Sequence, residues 1–357
     1  MCGGGEFVAI AIANTLAQNN RDVILFSSGK ISPSEIKSYF GESLHSSIRR
    51  IQQPATFSPR GLGDFYQTMI NSYIAKSKCS TLVDVFSNCV FPWAQVSYIH
   101  FPYLNKYSFN NTFPYLSNPH ISQAGTIPHV ILEKNLVDYD KKLVIANSHY
   151  TAETIQNFSY KHVEVLYPPF SSNILNIGKD TIKAPKEDLV VTVSRLDANK
   201  LLERIPLIAS QLDRHVQFAV IGRLCCQKTL SRLETIVKKL GLSERIKFYP
   251  NLPAKQKIDF LKRAKIYLHT MIGEHFGISI VESMALGCLP IVHDSGGMRE
   301  FVPEENRYET IEEAGKKITA ELNDWSVDKA ERMKTIASKF SMERFSERFM
   351  KLYSKVD

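Results

Sequence analysis

Gly273-Glu274-His275-Phe276-Gly277-Ile278-Ser279-Ile280-Val281-Glu282, running on through Ser283-Met284-Ala285-Leu286-Gly287, is the stretch whose reading decides the fold. An apolar, β-branched run, Ile266–His269, precedes it, and an amphipathic pattern with small residues follows. The segment therefore reads as strand, loop and helix, with the helix beginning at Gly277. A helix start offers free backbone N–H groups and a positive dipole end, which suit a phosphate. Glu282 falls about one and a half turns into the helix, within reach of a ribose whose two hydroxyls one carboxylate can accept. Glu274, in the loop before the helix, can accept hydrogen bonds from sugar hydroxyls. Two acids at this spacing are also common on ordinary surface helices, and it is the glycines and apolar frame that favour the binding reading.

The same alternation of short β-branched runs and helical stretches extends from Asp22 to the end of the chain, the pattern of an α/β protein with parallel sheets and crossover helices. The first half supplies candidate strands at Val23–Phe26, Thr81–Phe86, Val96–His100, Leu143–Ala146 and Val163–Leu166. The second supplies Leu189–Val193, Gln217–Ile221, Ile246–Tyr249, Ile266–His269 and Leu289–Val292. Each group is enough for one doubly wound sheet. A chain of 357 residues also has material for two cores of roughly 150 residues each. Tyr167-Pro168-Pro169 and the polar stretch to Lys186 read as the linker. The expected division is residues 1–170 with a return of residues 342–357, and residues 171–341.

The opening Met1-Cys2-Gly3-Gly4-Gly5-Glu6 reads as a glycine turn leading into an apolar helix, Phe7–Ala17. This is how the first βα turn of a nucleotide-binding fold looks without its strand. The expectation is that the first strand of the N-terminal domain is missing, and belongs upstream, or that the sheet is rearranged.

A second candidate element is Ser194-Arg195-Leu196-Asp197-Ala198-Asn199-Lys200, directly after the strand Leu189–Val193. Ligands bind at strand ends of such sheets, and Arg195 and Lys200 there would neutralise a diphosphate leaving group. The competing reading is a solvated, capped loop. Gly296-Gly297, after Leu289–Val292, permits close backbone approach to a ligand or a tight turn. In the first half, His100 ends a strand and would bond a sugar hydroxyl or move a proton, with a structural histidine as the alternative. Asn147-Ser148-His149 opens a helix, and an N-cap accounts for it equally well. Asp138-Tyr139-Asp140 has the form of a metal-binding D-x-D but lies in a charged turn, so no metal is expected.

Composition narrows the classes. No apolar run approaches the roughly 18 residues of a spanning helix, and no secretory signal pattern opens the chain, so a cytoplasmic protein is expected. Cys2, Cys79, Cys89, Cys225, Cys226 and Cys288 form no C-x-x-C pair, which excludes a zinc knuckle or disulfide framework. The net charge of +8 is spread among acids rather than clustered, which argues against a nucleic-acid partner. Walker-type and Gly-x-Ser-x-Gly motifs are absent. Phe101–Pro128, rich in Asn, Pro and aromatics, is too long for a simple connection.

Together, Gly3-Gly4-Gly5-Glu6, Ala146-Asn147-Ser148 with Thr151-Ala152-Glu153, Tyr167-Pro168-Pro169, Ser194-Arg195 with Lys200, and the Glu274/Glu282 pair resemble the GT-B glycosyltransferases of family 4. Leu268-His269-Thr270-Met271, Glu274-His275-Phe276-Gly277, His293-Asp294-Ser295-Gly296-Gly297 and Tyr98-Ile99-His100-Phe101-Pro102 are most similar to the subgroup of dolichol-pathway α-1,2-mannosyltransferases. The resemblance implies two Rossmann-like domains facing a cleft and a retaining, metal-independent transfer with no cofactor. The donor, a nucleotide sugar such as GDP-mannose, would lie mainly on the C-terminal domain, and a glycan or lipid-linked acceptor on the N-terminal one.

Carried over by position, Arg195 and Lys200 would hold the diphosphate and Glu282 the ribose. Glu274 with the His275, Phe276 and Gly277 backbone would hold the sugar. Gly4, Gly5 and Ile278 would complete the donor site, and His100 would sit beside the reacting centre. The last two helices would cross back to the first domain. The resemblance implies an N-terminal membrane helix in eukaryotic relatives that this sequence is not expected to carry, so any peripheral membrane contact would come from surface residues, Tyr103, Tyr107, Phe109, Phe113 and Tyr115 being candidates, with aromatic packing over the N-terminal domain the simpler reading. The alternatives are a UDP-sugar donor with another acceptor, and a truncated binding or regulatory subunit.

Overall fold

The computed structural model describes residues 3–29, 32–53, 62–101, 131, 135–156 and 162–356. The aromatic segment after Phe101, with Tyr103 to Tyr115, lies outside them. The described residues form two compact units. Unit 1 comprises Met1–Lys37, Ser43–Pro168 and Glu343–Asp357, and unit 2 comprises Ser38–Glu42 and Pro169–Met342.

Unit 2 is built on a fully parallel six-stranded sheet. Its strands are β7 (Glu187–Val193), β8 (Gln217–Gly222), β9 (Ile246–Pro250), β10 (Ala264–His269), β11 (Leu289–His293) and β12 (Arg307–Tyr308), in the order β12-β11-β10-β7-β8-β9. Leu189, Val190 and Val191 are buried in succession, as are Ile266, Tyr267 and Leu268. Such runs lose contact with water on both faces, the mark of a parallel sheet covered by helices. Each such side chain contributes about 1.5–3 kcal/mol. The chain starts at β7, winds outward through β8 and β9, then returns to the other side of β7 with β10. Neighbouring β7 and β10 are therefore the place where the winding reverses, and their following loops are brought side by side.

Five of these strands fall where the apolar runs predict them. β12, only two residues long, was not foreseen, because so short a pairing has no periodicity of its own. The stretch expected as a linker contains a helix, Ser172–Thr181, which packs within unit 2 against the helix Ile278–Ala285. Helix Val327–Ala337, expected to cross back, also packs on Ile278–Ala285 in unit 2, whereas Glu343–Asp357 groups with unit 1.

Unit 1 opens on α1 (Gly4–Gln18), and no strand precedes it among the described residues. The glycines are thus not a turn before the helix. Gly4 and Gly5 form its first turn, and the Glu6 side chain reaches back to the Gly3 N–H at 3.0 Å. The strands make two parallel sheets: β1 (Ile24–Ser27) with β2 (Arg49–Gln52), and β3 (Val83–Asp84), β4 (Val96–Ile99), β5 (Leu143–Ala146) and β6 (Glu164–Val165) in that order. β2 was not predicted, since Arg-Arg-Ile-Gln leaves three of its four side chains exposed and carries no apolar signal.

The loop after β10 rests on a cluster of three aromatic rings. Phe276 lies 5.1 Å from Phe301 and 5.2 Å from Phe340, centroid to centroid, and all three are buried. Phe340→Ala is expected to lower the unfolding free energy by about 3–5 kcal/mol, the cost of emptying a buried aromatic site. Urea denaturation checks it, and a loss below about 1 kcal/mol would show that the cluster collapses to refill the space.

Candidate functional site

Two loops meet at the reversal point of unit 2. After β7, the chain makes a short 3-10 turn, Ala198–Lys200, capped by the Asp197 carboxylate on the Asn199 N–H at 3.0 Å. After β10, it runs through Thr270 to Gly277 into the helix Ile278–Ala285. The Thr270 hydroxyl donates to the Lys200 carbonyl at 2.8 Å, fastening one loop to the other. Lys200 Nζ then lies 2.6 Å from Glu274 Oε2 and 3.0 Å from Met271 Sδ. The two residues singled out separately in the sequence are thus joined in one ion pair, with only 14% and 12% of their side chains exposed.

His269, the last residue of β10, is a third member. Its Nε2 sits 3.1 Å from the same Glu274 oxygen, and the ring is buried. Burial pushes the Glu274 carboxyl up, but the Lys200 charge and the His269 hydrogen bond outweigh it and hold the group well below the usual carboxylate range. The acid is ionised. Its other oxygen, Oε1, accepts the His275 N–H at 3.2 Å.

Glu282 is held in the same way. Its Oε2 lies 2.7 Å from Lys257 Nζ, which comes from the helix Ala254–Arg263, and the two side chains are 12% and 18% exposed. Removing one partner of such a shielded pair typically costs about 3–5 kcal/mol. The start of the Ile278–Ala285 helix is fixed by Tyr267, whose hydroxyl donates to the Val193 carbonyl at 3.0 Å and lies 2.7 Å from Ser279 Oγ. Gly277 caps that helix at φ +94, a left-handed conformation that disfavours any side chain. Ile278, half-buried, is its first residue. Phe276 turns its ring into the aromatic cluster, so only its backbone faces the loop's surroundings.

Gly296 and Gly297 hold the Glu274 loop rather than standing apart from it. The Gly297 N–H donates to the Glu274 carbonyl at 2.9 Å, and the Gly273 N–H donates to Ser295 Oγ at 2.8 Å. A Cβ on Gly296 would fall 2.3 Å from the Glu274 carbonyl oxygen. Arg195 lies exposed on the β7 loop and makes no ion pair among the described residues.

This geometry offers two carboxylates, each held at one oxygen by a lysine, and a helix start, and the β7 loop adds an exposed arginine without an ion pair among the described residues. Residues 174–340 match the family described as Glycosyl transferases group 1. The matched residues all lie in unit 2, which is similar to that family over most of its length. Over 295 residues, 71% of this chain and 57% of the relative, the sequence is 24% identical to a Dictyostelium discoideum protein named GDP-Man:Man(3)GlcNAc(2)-PP-Dol alpha-1,2-mannosyltransferase. The human protein of that name is 28% identical over 229 residues, covering 56% of this chain and 46% of its own length. The chain spans about half the length of the curated relatives it matches.

Solved structures with the same fold include a sucrose-phosphate synthase from Thermosynechococcus elongatus, TM-score 0.74 at 16% identity, covering 97% of this chain and 91% of that one. Anabaena HepE in complex with UDP-glucose gives 0.70 at 18%, covering 99% and 96%. The fold is accordingly the expected GT-B type, with two Rossmann-like α/β units.

Of the unit 2 residues that the sequence singled out, the structure pairs Lys200 with Glu274, and it adds partnerships the sequence reading did not name, His269 on Glu274 and Lys257 on Glu282. His269 had a weak signal as the polar end of an apolar strand, whereas Lys257 is one lysine among several on a charged helix. Asp138, in the D-x-D segment, pairs instead with Lys141 at 2.9 Å. No group of three metal-ligating side chains occurs among the described residues.

Unit 1 places His100 against α1. A Cβ on Gly5 would lie 3.2 Å from His100 Nε2, which donates to the Val85 carbonyl at 3.1 Å. Ser148 Oγ accepts the Thr151 N–H at 3.1 Å, which makes Ser148 an N-cap for the helix His149–Gln156.

Two expectations follow. Gly296→Ala should displace the Glu274 carbonyl and lower any activity by on the order of tenfold or more, whereas Gly241→Ala, whose Cβ meets nothing within 4 Å but whose φ of +67 disfavours a side chain, should cost stability with a smaller effect on activity. Burial pushes His100 down from 6.5 to about 4, against a smaller opposing effect of its bond to Val85. Between these values the unfolded chain binds a proton that the folded chain refuses, so stability is lost as pH falls from 6.5 toward 4. The loss is at most roughly 3 kcal/mol, less for the residual exposure of the side chain. Urea unfolding across this window should be steeper in pH for the wild type than for His100→Gln, and equal slopes would refute it.

Proposed function

We propose that this chain is a retaining glycosyltransferase that moves a hexose, mannose from GDP-mannose, onto a lipid-linked or cell-surface glycan. The observation that carries the reading is the shielded Lys200–Glu274 pair at the strand reversal of a unit similar to the group 1 glycosyl transferases. The names of the Dictyostelium and human relatives favour GDP-mannose and a dolichol-linked acceptor. HepE, solved with UDP-glucose, favours the second reading, a UDP-sugar donor.

In the proposed reaction the bond between the anomeric carbon and the diphosphate oxygen breaks. The acceptor hydroxyl oxygen bonds to that carbon on the face the diphosphate leaves, and its proton passes to the departing phosphate. Arg195 and Lys200 balance the negative charge that grows on the leaving group. Lys200 has three hydrogens, of which Glu274 and Met271 take two, so one remains for a phosphate oxygen. Glu274 Oε1 accepts sugar hydroxyls, and Glu282 Oε1 accepts the ribose diol. The backbone from His275 to Ile278 supplies N–H donors. His100, with hydrogen on Nε2, has Nδ1 left as an acceptor beside α1. No metal is assigned a role. Among the described residues no helix is long and apolar enough to cross a membrane, and a peripheral contact with the membrane bearing the acceptor belongs to this proposal.

Incubation of the full chain with GDP-mannose, UDP-glucose and related donors, and with lipid-linked and soluble acceptors, read by mass spectrometry, tests the reading. Arg195→Ala and Lys200→Ala should each lower turnover on the order of a hundredfold. Glu282→Gln should chiefly raise the KM for the donor. Full turnover in both cation variants would remove them from the mechanism, and no product from any donor would leave the binding or regulatory alternative.

A further inference from the structure

β10 ends on a histidine that the reaction above does not use. His269 is 3% exposed, with its ring stacked on Tyr267 at a centroid distance of 6.4 Å. Its Nε2 faces Glu274 Oε2 at 3.1 Å. A carboxylate can only accept, so Nε2 is the nitrogen that carries hydrogen. The other ring nitrogen, Nδ1, is buried without a hydrogen-bond partner among the described residues. An apolar side chain would fill this place without burying an unsatisfied nitrogen, so packing alone does not account for an imidazole. What the ring contributes is one directed N–H.

That N–H shares its acceptor oxygen with Lys200, and the two donors differ in how firmly they are placed. Lys200 reaches Glu274 on a flexible four-carbon stem from the neighbouring loop. His269 stands on a central strand, its backbone carbonyl bonded by the Tyr308 hydroxyl at 3.0 Å. A diphosphate drawing on Lys200 weakens the lysine's hold on Glu274. The histidine's hold is unaffected. Resting on the function proposed above, we infer that His269 is a positioning residue: it holds Oε2 of Glu274 in place while Lys200 serves the diphosphate, so that Oε1 stays directed at the sugar. The other charged or titratable groups around this contact are Lys200 from the β7 loop, His275 from the Glu274 loop, Tyr267 from β10 and Tyr308 from β12.

The experiment compares His269→Leu, which removes the donor, with His269→Gln, which keeps an N–H on a side chain of similar reach. Steady-state kinetics with the preferred donor are read beside calorimetric titration with GDP and UDP and a thermal melt. The Leu variant is expected to lose kcat about ten- to a hundredfold, with nucleotide affinity within about threefold of wild type. The Gln variant is expected to recover most of that kcat. Unchanged kcat in the Leu variant overturns the inference, as does equal loss in both variants or a parallel collapse of nucleotide affinity, either of which marks a structural role. A wild-type chain that binds neither nucleotide and transfers no sugar overturns the proposed function itself. A wild-type chain that does both while the Leu variant keeps its kcat overturns this inference alone.

Discussion

Lys200 and Glu274 attract each other across a junction that exists only because the sheet of unit 2 reverses its winding between β7 and β10. Had the strands simply continued outward, the loops after β7 and β10 would lie at opposite edges of the sheet. The reversal puts them side by side, and Thr270 bonding the Lys200 carbonyl sets their relative height. A charge pair so shielded is stable only when its geometry is right, because desolvation otherwise outweighs the attraction. The rest of the site follows from that demand. Tyr267 with Ser279 anchors the helix start, the Gly296-Gly297 turn backs the Glu274 carbonyl, and the Phe276 ring roots the loop in an aromatic cluster.

Both acids of the site are organised alike. Each gives Oε2 to a lysine, Glu274 to Lys200 and Glu282 to Lys257. Each is therefore fixed in rotation while Oε1 keeps capacity to accept. Rigid acceptors cost less to order when a polyhydroxylated ligand arrives, and this preorganisation is what supports the proposed binding role over that of a surface acid of the same spacing. Arg195, exposed and without an ion pair among the described residues, stands in contrast to these two acids.

Unit 1 follows a different logic. Its notable polar group, His100, is kept neutral by the protein around it and sits against the first turn of α1. A neutral ring next to a helix start avoids placing positive charge against the positive end of the dipole. The buried acids of unit 2 are held by paired charges, whereas His100 in unit 1 sets an uncharged imidazole against a helix start.

The amino-acid pattern by itself determined the class of fold and most of the strands, and it singled out Lys200 and Glu274 before the structure joined them. Apolar β-branched runs bounded by breakers reflect local physics, and Leu143–Ala146 forms the strand its composition demands. It did not reveal β2 or β12, whose short or exposed residues carry no period, nor that the Ser172–Thr181 stretch is helical. The pairing of residues was beyond it altogether. Lys200 with Glu274, His269 on the same oxygen, and Lys257 with Glu282 join side chains whose separation along the chain follows no helical or strand spacing. Those partnerships were decided by strand order and helix packing, because contact between distant segments is set by how the sheet winds and not by any period along the chain.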